Sequence, residues 1–453
     1  MSFPRYQSYK NSGVEWFGEV PKHWQVTSIR RVASRVQTGT TPTTAPANEQ
    51  IEDGVAWYSP GDFRDSLRLT RSFKKLSSES VLSNEVRLFP SGSVLIVSIG
   101  ATLGKVGFIA ETSSANQQIN AVVPNASVDG YYLTYALSAT AETMKFMSNA
   151  STIGIMNQEK TKEMPLVVPP LEEQLAIAAF LDGETAKIDQ LVQEQQQLIE
   201  LLGEKRQAVI SDSVTKGLDR DAPMKDSGVA WLGRLPEHWD CRSISSISSK
   251  ITNGYVGPTR DILVDEGVRY LQSLHIKGNS IRFDNPYFVR QEWSLEHSKS
   301  ILDVGDVLIV QTGDIGQVAV VSDEFAGCNC HALIIVAPLK NVIFGEWLSW
   351  VLNSDYGFHS LLSIQTGALH PHLNCGNVKS LMVPVPPLEE QKEIVARLAE
   401  RLAQFDALIS EAQRGISLLQ ERRAALIAAA VTGKIDVRGV IQVDAPIPDV
   451  VAA

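Results

Sequence analysis

The chain has 453 residues, of which 44% are hydrophobic and 20% charged, with a net charge of −10. That length leads to an expectation of two or more domains of ordinary globular composition, and the acidic balance argues mildly against a nucleic-acid partner. No apolar run approaches the ~20 residues of a membrane span, the opening MSFPRYQSYKNSG has no signal-peptide core, and four cysteines without redox or zinc-ribbon spacing fit a reducing cytoplasm.

Taken in order, the chain says everything twice. YKNSGVEWFGEVPKHWQVTSI (9–29) returns as MKDSGVAWLGRLPEHWDCRSI (224–244), so Gly13, Trp16, Gly18, Pro21, His23 and Trp24 match Gly228, Trp231, Gly233, Pro236, His238 and Trp239. The repeated tryptophans read as core, and the two histidines as capped or core rather than catalytic. Polar loops follow, QTGTTPTTAPANEQ and ITNGYVGPTRDILVDEG, each leading to a short apolar strand (54–62 and 267–275). PSGSVLIVSIGATLGKVGFIA (90–110) then pairs with DVGDVLIVQTGDIGQVAVVSD (303–323) as strand, glycine turn, strand. Another apolar strand, a helix carrying aromatics, and a polar loop (149–157 and 363–374) close each half. Each half is therefore expected to be a mixed α/β domain, and the chain α+β in class.

The longest repeat is PPLEEQLAIAAFLDGETAKIDQ and onward (169–219), matched without a gap by 386–436, at an offset of 217. A self-match at fixed offset marks a duplicated unit. Pro170 and Pro387 suit a first helical position, and the glutamates after them suit a first turn. A heptad column runs through Leu181, Ile188, Gln195, Leu202 and Val209, with its twin in Leu398, Phe405, Ala412, Leu419 and Leu426. Leu191, Leu198 and Leu408 fill the neighbouring position. Such heptads predict two long helices packed as an antiparallel coiled coil, about 65 Å long at about 1.5 Å per residue. Gln195 either fixes register or is a buried polar residue beside a partner. The expected boundaries are domain 1–168, spacer 169–219, domain 220–385, spacer 386–440 and a flexible tail 441–453.

No catalytic constellation emerges. Gly100 to Lys105 is one residue short of a phosphate-binding loop and leads into a strand. Asp284-Asn285-Pro286-Tyr287-Phe288 lacks one proline of an amino-methyltransferase loop, and no glycine-rich cofactor loop precedes it. Cys328-Asn329-Cys330-His331 is too tight for a two-pair zinc site, so no metal is expected. Residues 1–168 carry 16 basic against 14 acidic residues, and 169–219 carry 4 against 10, so much of the acidity lies on the first spacer. Arg30, Arg31 and Arg35, then Arg64, Arg68, Arg71, Lys74 and Lys75, form basic clusters able to neutralise phosphates or simply to be solvated.

This organisation resembles the specificity subunit of type I restriction–modification enzymes. The resemblance covers nearly the whole chain and is carried by Trp16 to Gly18, Pro21 to Trp24 and their second copies, by GSVLIVSIGATLGKVG, by Asn116-Gln117, and above all by PPLEEQ before each long helix. It implies two target-recognition domains separated by two antiparallel helical spacers in a pseudo-twofold arrangement, each domain reading one half of a split site in double-stranded DNA. It also implies two methyltransferase subunits and two restriction subunits as partners. S-adenosylmethionine, ATP and magnesium would then sit on those partners, with no cofactor on this chain. Readers set about one helical turn apart, ~34 Å, would contact half-sites across a fixed gap.

Base edges call for Asn, Gln, Arg, Ser and Thr on loops. In the first domain the candidates are Thr41, Ser59, Arg64, Ser98, Thr102, Lys105, Asn116, Gln117 and Asn157. In the second they are Gln272, His275, Lys277, Gln311, Thr312, Asp314, Gln317, Thr366, His370 and His372. Arg64 and Lys105 are expected on phosphate. Cys330-His331 stands where Asn116-Gln117 would recur. Competing readings are a coiled-coil scaffold with two protein-binding domains, an autonomous nucleic-acid enzyme, and the equivalent subunit of a type IIB-like bifunctional restriction enzyme.

Overall fold

The computed structural model describes residues 3–42, 47–48, 54–64, 66–77, 81, 86–148, 154–367 and 370–440. The tail 441–453 and parts of the loops at 37–50 and 149–157 lie outside the described residues. Two compact units divide the chain: Met1–Gln195 with Gly415–Ala453, and Gln196–Arg414. Each contains one globular segment and part of both long helices.

In the first unit, β-branched strands build a five-stranded sheet ordered Ala33–Thr38, Ile119–Pro124, Val94–Val97, Val106–Ile109 and Arg68–Leu69. Its pairs are antiparallel except the last, which is parallel. Val94 to Val97 are buried on both faces, so the strand reads as a continuous apolar run rather than an alternating one. The second unit repeats this with Ser248–Asn253, Leu333–Pro338, Val307–Val310 and Val318–Val320. The aromatic helix Gly130–Ser138, or Gly345–Asn353, packs beside the sheet and buries Tyr132 and Leu133, or Trp347 and Leu348. A second, four-stranded sheet in each unit holds Val55–Tyr58 or Val268–Leu271.

The predicted long helices are Leu171–Lys216 and Leu388–Val431. In the first unit they run antiparallel: Arg423 Nε donates to Asp189 Oδ1 at 2.9 Å, while Phe180 and Leu181 share a core with Ile427 and Ala430. In the second unit Arg206 pairs with Asp406 at 3.1 Å, and Ile210 packs on Leu398 and Leu402. Leu181, Ile188 and Leu398 are buried; Leu202, Val209, Phe405, Leu419 and Leu426 are half-buried. Gln195 Oε1 lies 4.0 Å from where a Cβ on Gly415 would stand, so the polar seam residue occupies space left by a glycine.

One expectation about the seam is corrected. Leu191, Leu198 and Leu408 are 44%, 43% and 54% exposed. The column beside the first heptad is instead Thr185, Val192 and Ile199, four residues on rather than three. Both spacings are neighbours on a helix, and only the side on which the partner helix lies chooses between them.

The repeated motifs meet at one joint in each unit. Trp24 Nε1 donates to Glu173 Oε2 at 2.9 Å, and His23 Nε2 lies 2.6 Å from Glu173 Oε1. Trp239 Nε1 donates to Glu390 Oε1 at 3.0 Å, and His238 Nε2 lies 2.9 Å from Glu390 Oε2. The next glutamine ties the helix to its domain. Gln174 accepts from Asp129 N–H and donates to Ser127 and Pro169 carbonyls; Gln391 accepts from Phe344 N–H and donates to Val342 and Pro386 carbonyls. The end of the other long helix completes the joint. Gly433, at φ +70°, stands so close that a Cβ would come within 2.3 Å of Pro21 Cδ and 3.1 Å of Trp24. Trp24 and Trp239 are fully buried as expected, but Trp16 and Trp231 are 43% and 71% exposed and are not core.

Candidate nucleic-acid interface

The two sheets present the same polar edge, and the side chains on it differ. In the first unit the returning loop donates Met156 N–H to Ser98 O at 2.8 Å; in the second, Leu373 N–H donates to Gln311 O at 3.0 Å. Ser98 and Gln311 are therefore the same position in the repeat, at the mouth of the glycine turn. Gly313 and Gly316, at φ +81° and +89°, let the second turn fold back sharply.

In the second unit this edge is a cleft of about 710 Å³. Gln311, Thr312, Asp314, His370 and His372, chosen from sequence, all line it, and Thr366 adjoins it through paired backbone bonds to His372. Gln365 and Ile315 line it too; neither was singled out, because nothing in its local sequence distinguishes a cleft wall from a turn. Gln311 Oε1 is buried without a hydrogen-bond partner, the one side-chain atom so placed among the described residues. The His372 ring is held by Thr366 Oγ1 and His370 O, both at 3.2 Å. Lys277 is exposed on the ribbon Ile276–Lys277, and Gln317 Oε1 accepts from Gly278 N–H at 3.3 Å.

In the first unit a smaller groove of about 230 Å³ is lined by Arg64, Ser66, Arg68, Arg71, Ser72 and Phe73. Arg64 lies over the exposed Phe73 ring at 5.1 Å. Arg68 is already used, paired with Asp182 at 2.7 Å and stacked over Tyr131 at 4.2 Å. The earlier cluster is partly spent as well, since Arg30 pairs with Glu159 and Arg35 donates to Leu88 O. Thr41 and Gln117 are exposed and hydrogen-bond to each other. Thr102 is half-buried in the glycine turn.

Several sequence candidates turn out to hold the fold. Ser98 is 5% exposed and donates its hydroxyl to Gln118 O. Asn116 is buried, its amide bonded both ways to Gln118. Asn157 caps the helix Gln158–Glu163 by accepting from Lys160 N–H. Lys105 Nζ donates to Phe63 O at 2.8 Å rather than reaching outward. Ser59 and Gln272 are equivalent caps of one-turn helices. In the first, Ser59 N–H and hydroxyl donate to Asp62; in the second, Gln272 N–H donates to His275 Nδ1. His275 is fully buried, with Nε2 2.8 Å from Asn285 O, and burial holds it below the usual histidine range. It is the neutral counterpart of Asp62, closing a turn, and it has no face to offer a base.

The alignment of Asn116-Gln117 is also corrected. Asn116 N–H donates to Tyr58 O, as His331 N–H donates to Leu271 O, so His331 answers Asn116 and Ala332 answers Gln117. Cys328 and Cys330 are buried, and burial pushes both thiols up, Cys328 to about 11. Among the described residues no group of three His, Cys, Asp or Glu side chains is placed to hold a metal, and no helix is long and apolar enough to cross a membrane.

Comparison with known proteins agrees with this duplicated frame. The family described as type I restriction modification DNA specificity domain matches residues 21–201 and again 236–417. The type I restriction enzyme MjaVIII specificity subunit of Methanocaldococcus jannaschii is 22% identical over 92% of this chain and 94% of its own length. The EcoBI specificity subunit of Escherichia coli is 23% identical over 75% and 73%. Among solved structures, a chain described under complex assembly and conformational transition of the type I R-M system matches with a TM-score of 0.70 at 16% identity, covering 91% of this chain and 98% of that one. The HsdS subunit from Thermoanaerobacter tengcongensis matches with a TM-score of 0.52 at 16% identity, over 91% and 98%. With a family match in each half of the chain, spanning most of its length, this protein belongs to the type I restriction modification DNA specificity family.

Proposed function

We propose that the chain is the non-catalytic specificity subunit of a type I restriction–modification assembly, and that it reads a bipartite, asymmetric site in double-stranded DNA, one half per unit. The observation that carries this is a single frame used twice with unlike side chains at its tip. Ser98, Ile99 and Thr102 stand in one unit where Gln311, Thr312 and Asp314 stand in the other. A duplicated enzyme would keep its reacting groups in both copies; a duplicated reader changes them.

In this reading residues 1–168 and 220–385 are the recognition domains, and 169–219 and 386–440 the spacers. Base contacts come from Thr41, Thr102 and Gln117 in the first, and from Gln311, Thr312, Asp314, Thr366 and His370 in the second, while His372, with both ring nitrogens engaged by Thr366 and His370, shapes the cleft. Short polar and bidentate side chains of these kinds are those that discriminate base edges. Arg64 and Arg71 meet phosphate, and Lys277 does the same on the second unit. Methyltransferase and restriction subunits dock on the chain in the cytoplasm and hold the S-adenosylmethionine, ATP and magnesium. The chain's own part is to bind and orient.

Methylation mapping of the host genome tests this directly. A motif of two unlike blocks with a fixed unread gap, lost when this gene is deleted, is the expected result. A single undivided motif, or a motif that survives the deletion, would overturn it. Binding by the purified chain with its methyltransferase partner should also weaken steeply with salt, by a log–log slope of about −0.9 for each phosphate neutralised.

A further inference from the structure

We infer that Gln311 reads one base of the second half-site, and that its Oε1 accepts a hydrogen bond from the exocyclic amino group of an adenine or cytosine. This rests on the reading above and adds to it the polarity of the Gln311 contact and the two bases that polarity selects.

The argument starts from the repeat. Ser98 and Gln311 occupy one position, fixed by the same backbone bond from the returning loop. At Ser98 the side chain is satisfied inside the domain, its hydroxyl donating to Gln118 O at 2.8 Å. At Gln311 the longer side chain ends in a buried oxygen with no partner. Nearly all buried polar atoms are paired, so an orphan at the wall of a large cleft marks a place where something outside the chain completes the bond.

The chemistry of that partner follows from the neighbours. A glutamine oxygen only accepts, so the incoming group must donate. Asp314, exposed at the same rim, is an acceptor that repels phosphate. His372 is committed to Thr366 and His370. A DNA backbone offers only acceptors here, whereas the major groove offers two donors, the N6 amino group of adenine and the N4 amino group of cytosine. An unpartnered acceptor beside the Asp314 carboxylate at a reader tip selects those two groups.

The test removes the donor from the DNA rather than from the protein. The assembly with its methyltransferase subunits is titrated with duplexes in which each adenine of the mapped second half-site is replaced in turn by purine, and each cytosine by 2-pyrimidinone. One replacement should weaken binding by about 5- to 150-fold for the wild type, the range for one base contact. The same replacement should cost Gln311→Leu nothing further, and Gln311→Glu, which keeps the acceptor, should retain the penalty. If no replacement weakens the wild type, if Gln311→Leu keeps the penalty, or if Gln311→Glu abolishes it, the inference fails while the specificity-subunit reading stands. A wild type with no mapped site would bring down the reading itself.

Discussion

Glu173 closes three distant pieces of chain on one carboxylate. It accepts from Trp24 Nε1 and the Tyr6 hydroxyl, lies against His23, and faces Arg438 at 3.6 Å. Replacing it with alanine leaves the buried indole N–H without an acceptor, so Glu173→Ala should lower unfolding stability by about 2–4 kcal/mol in urea titrations, and Glu173→Gln by less. The glycine beside it makes a sharper comparison. Gly13 and Gly433 share a left-handed backbone, φ +72° and +70°, but a Cβ at Gly13 meets nothing within 4 Å while one at Gly433 runs into the Pro21 ring. Gly13→Ala should cost about 1 kcal/mol, the conformational term alone, and Gly433→Ala at least about twice that. His275 has a pH signature. Its folded state favours the neutral ring, so the unfolded chain binds the proton more readily and stability is lost as pH falls below the ordinary histidine value. Acid titration of stability should show that loss below about pH 6.5, reduced in His275→Gln.

At the scale of elements, the long helices separate two kinds of leucine that look alike in sequence. Leu398 is 2% exposed against Ile210 and Leu402, whereas Leu408 is 54% exposed. Leu398→Ala should cost about 2–4 kcal/mol, because it removes buried methylenes and leaves a cavity, and Leu408→Ala should stay within about 0.5 kcal/mol. Equal losses from both would place the seam three residues on, as the heptads alone suggested. The glycine turns and one-turn helices behave differently. They keep their backbone bonds in both units while their side chains change, as with Asp62 and His275, two acceptors of different chemistry closing the same turn.

At the scale of the whole molecule, a division of labour between units predicts separable effects. Substitutions at Thr312, Asp314 and His370 should relax one block of the methylation motif and leave the other unchanged. Arg64→Ala should weaken binding to all sequences alike and reduce the salt slope by about 1. If a substitution confined to residues Gln196–Arg414 altered both blocks, each unit would not be an independent reader.

The duplication, the two long helices, the order of strands along the chain, and PPLEEQ and Pro-x-His-Trp as repeated landmarks were all legible in the sequence, whereas the meeting of those two landmarks at one carboxylate was not. They depend on periodicity, turn residues and self-similarity, which are written locally along the chain. The clustering of Gln311, Thr312, Asp314, His370 and His372 was partly legible, since loops between apolar strands gather at a sheet edge. Which loop residues face outward was not. Ser98, Asn116 and His275 have the composition of readers and the position of props, because a buried polar side chain is settled by whichever partner the packed chain brings to it, two residues away for Asn116, ten for the outer nitrogen of His275 and twenty for Ser98. The same holds for the face of the seam and for the orphaned oxygen of Gln311. A residue's type limits the bonds it can form, and only the packed chain decides whether a partner is already there.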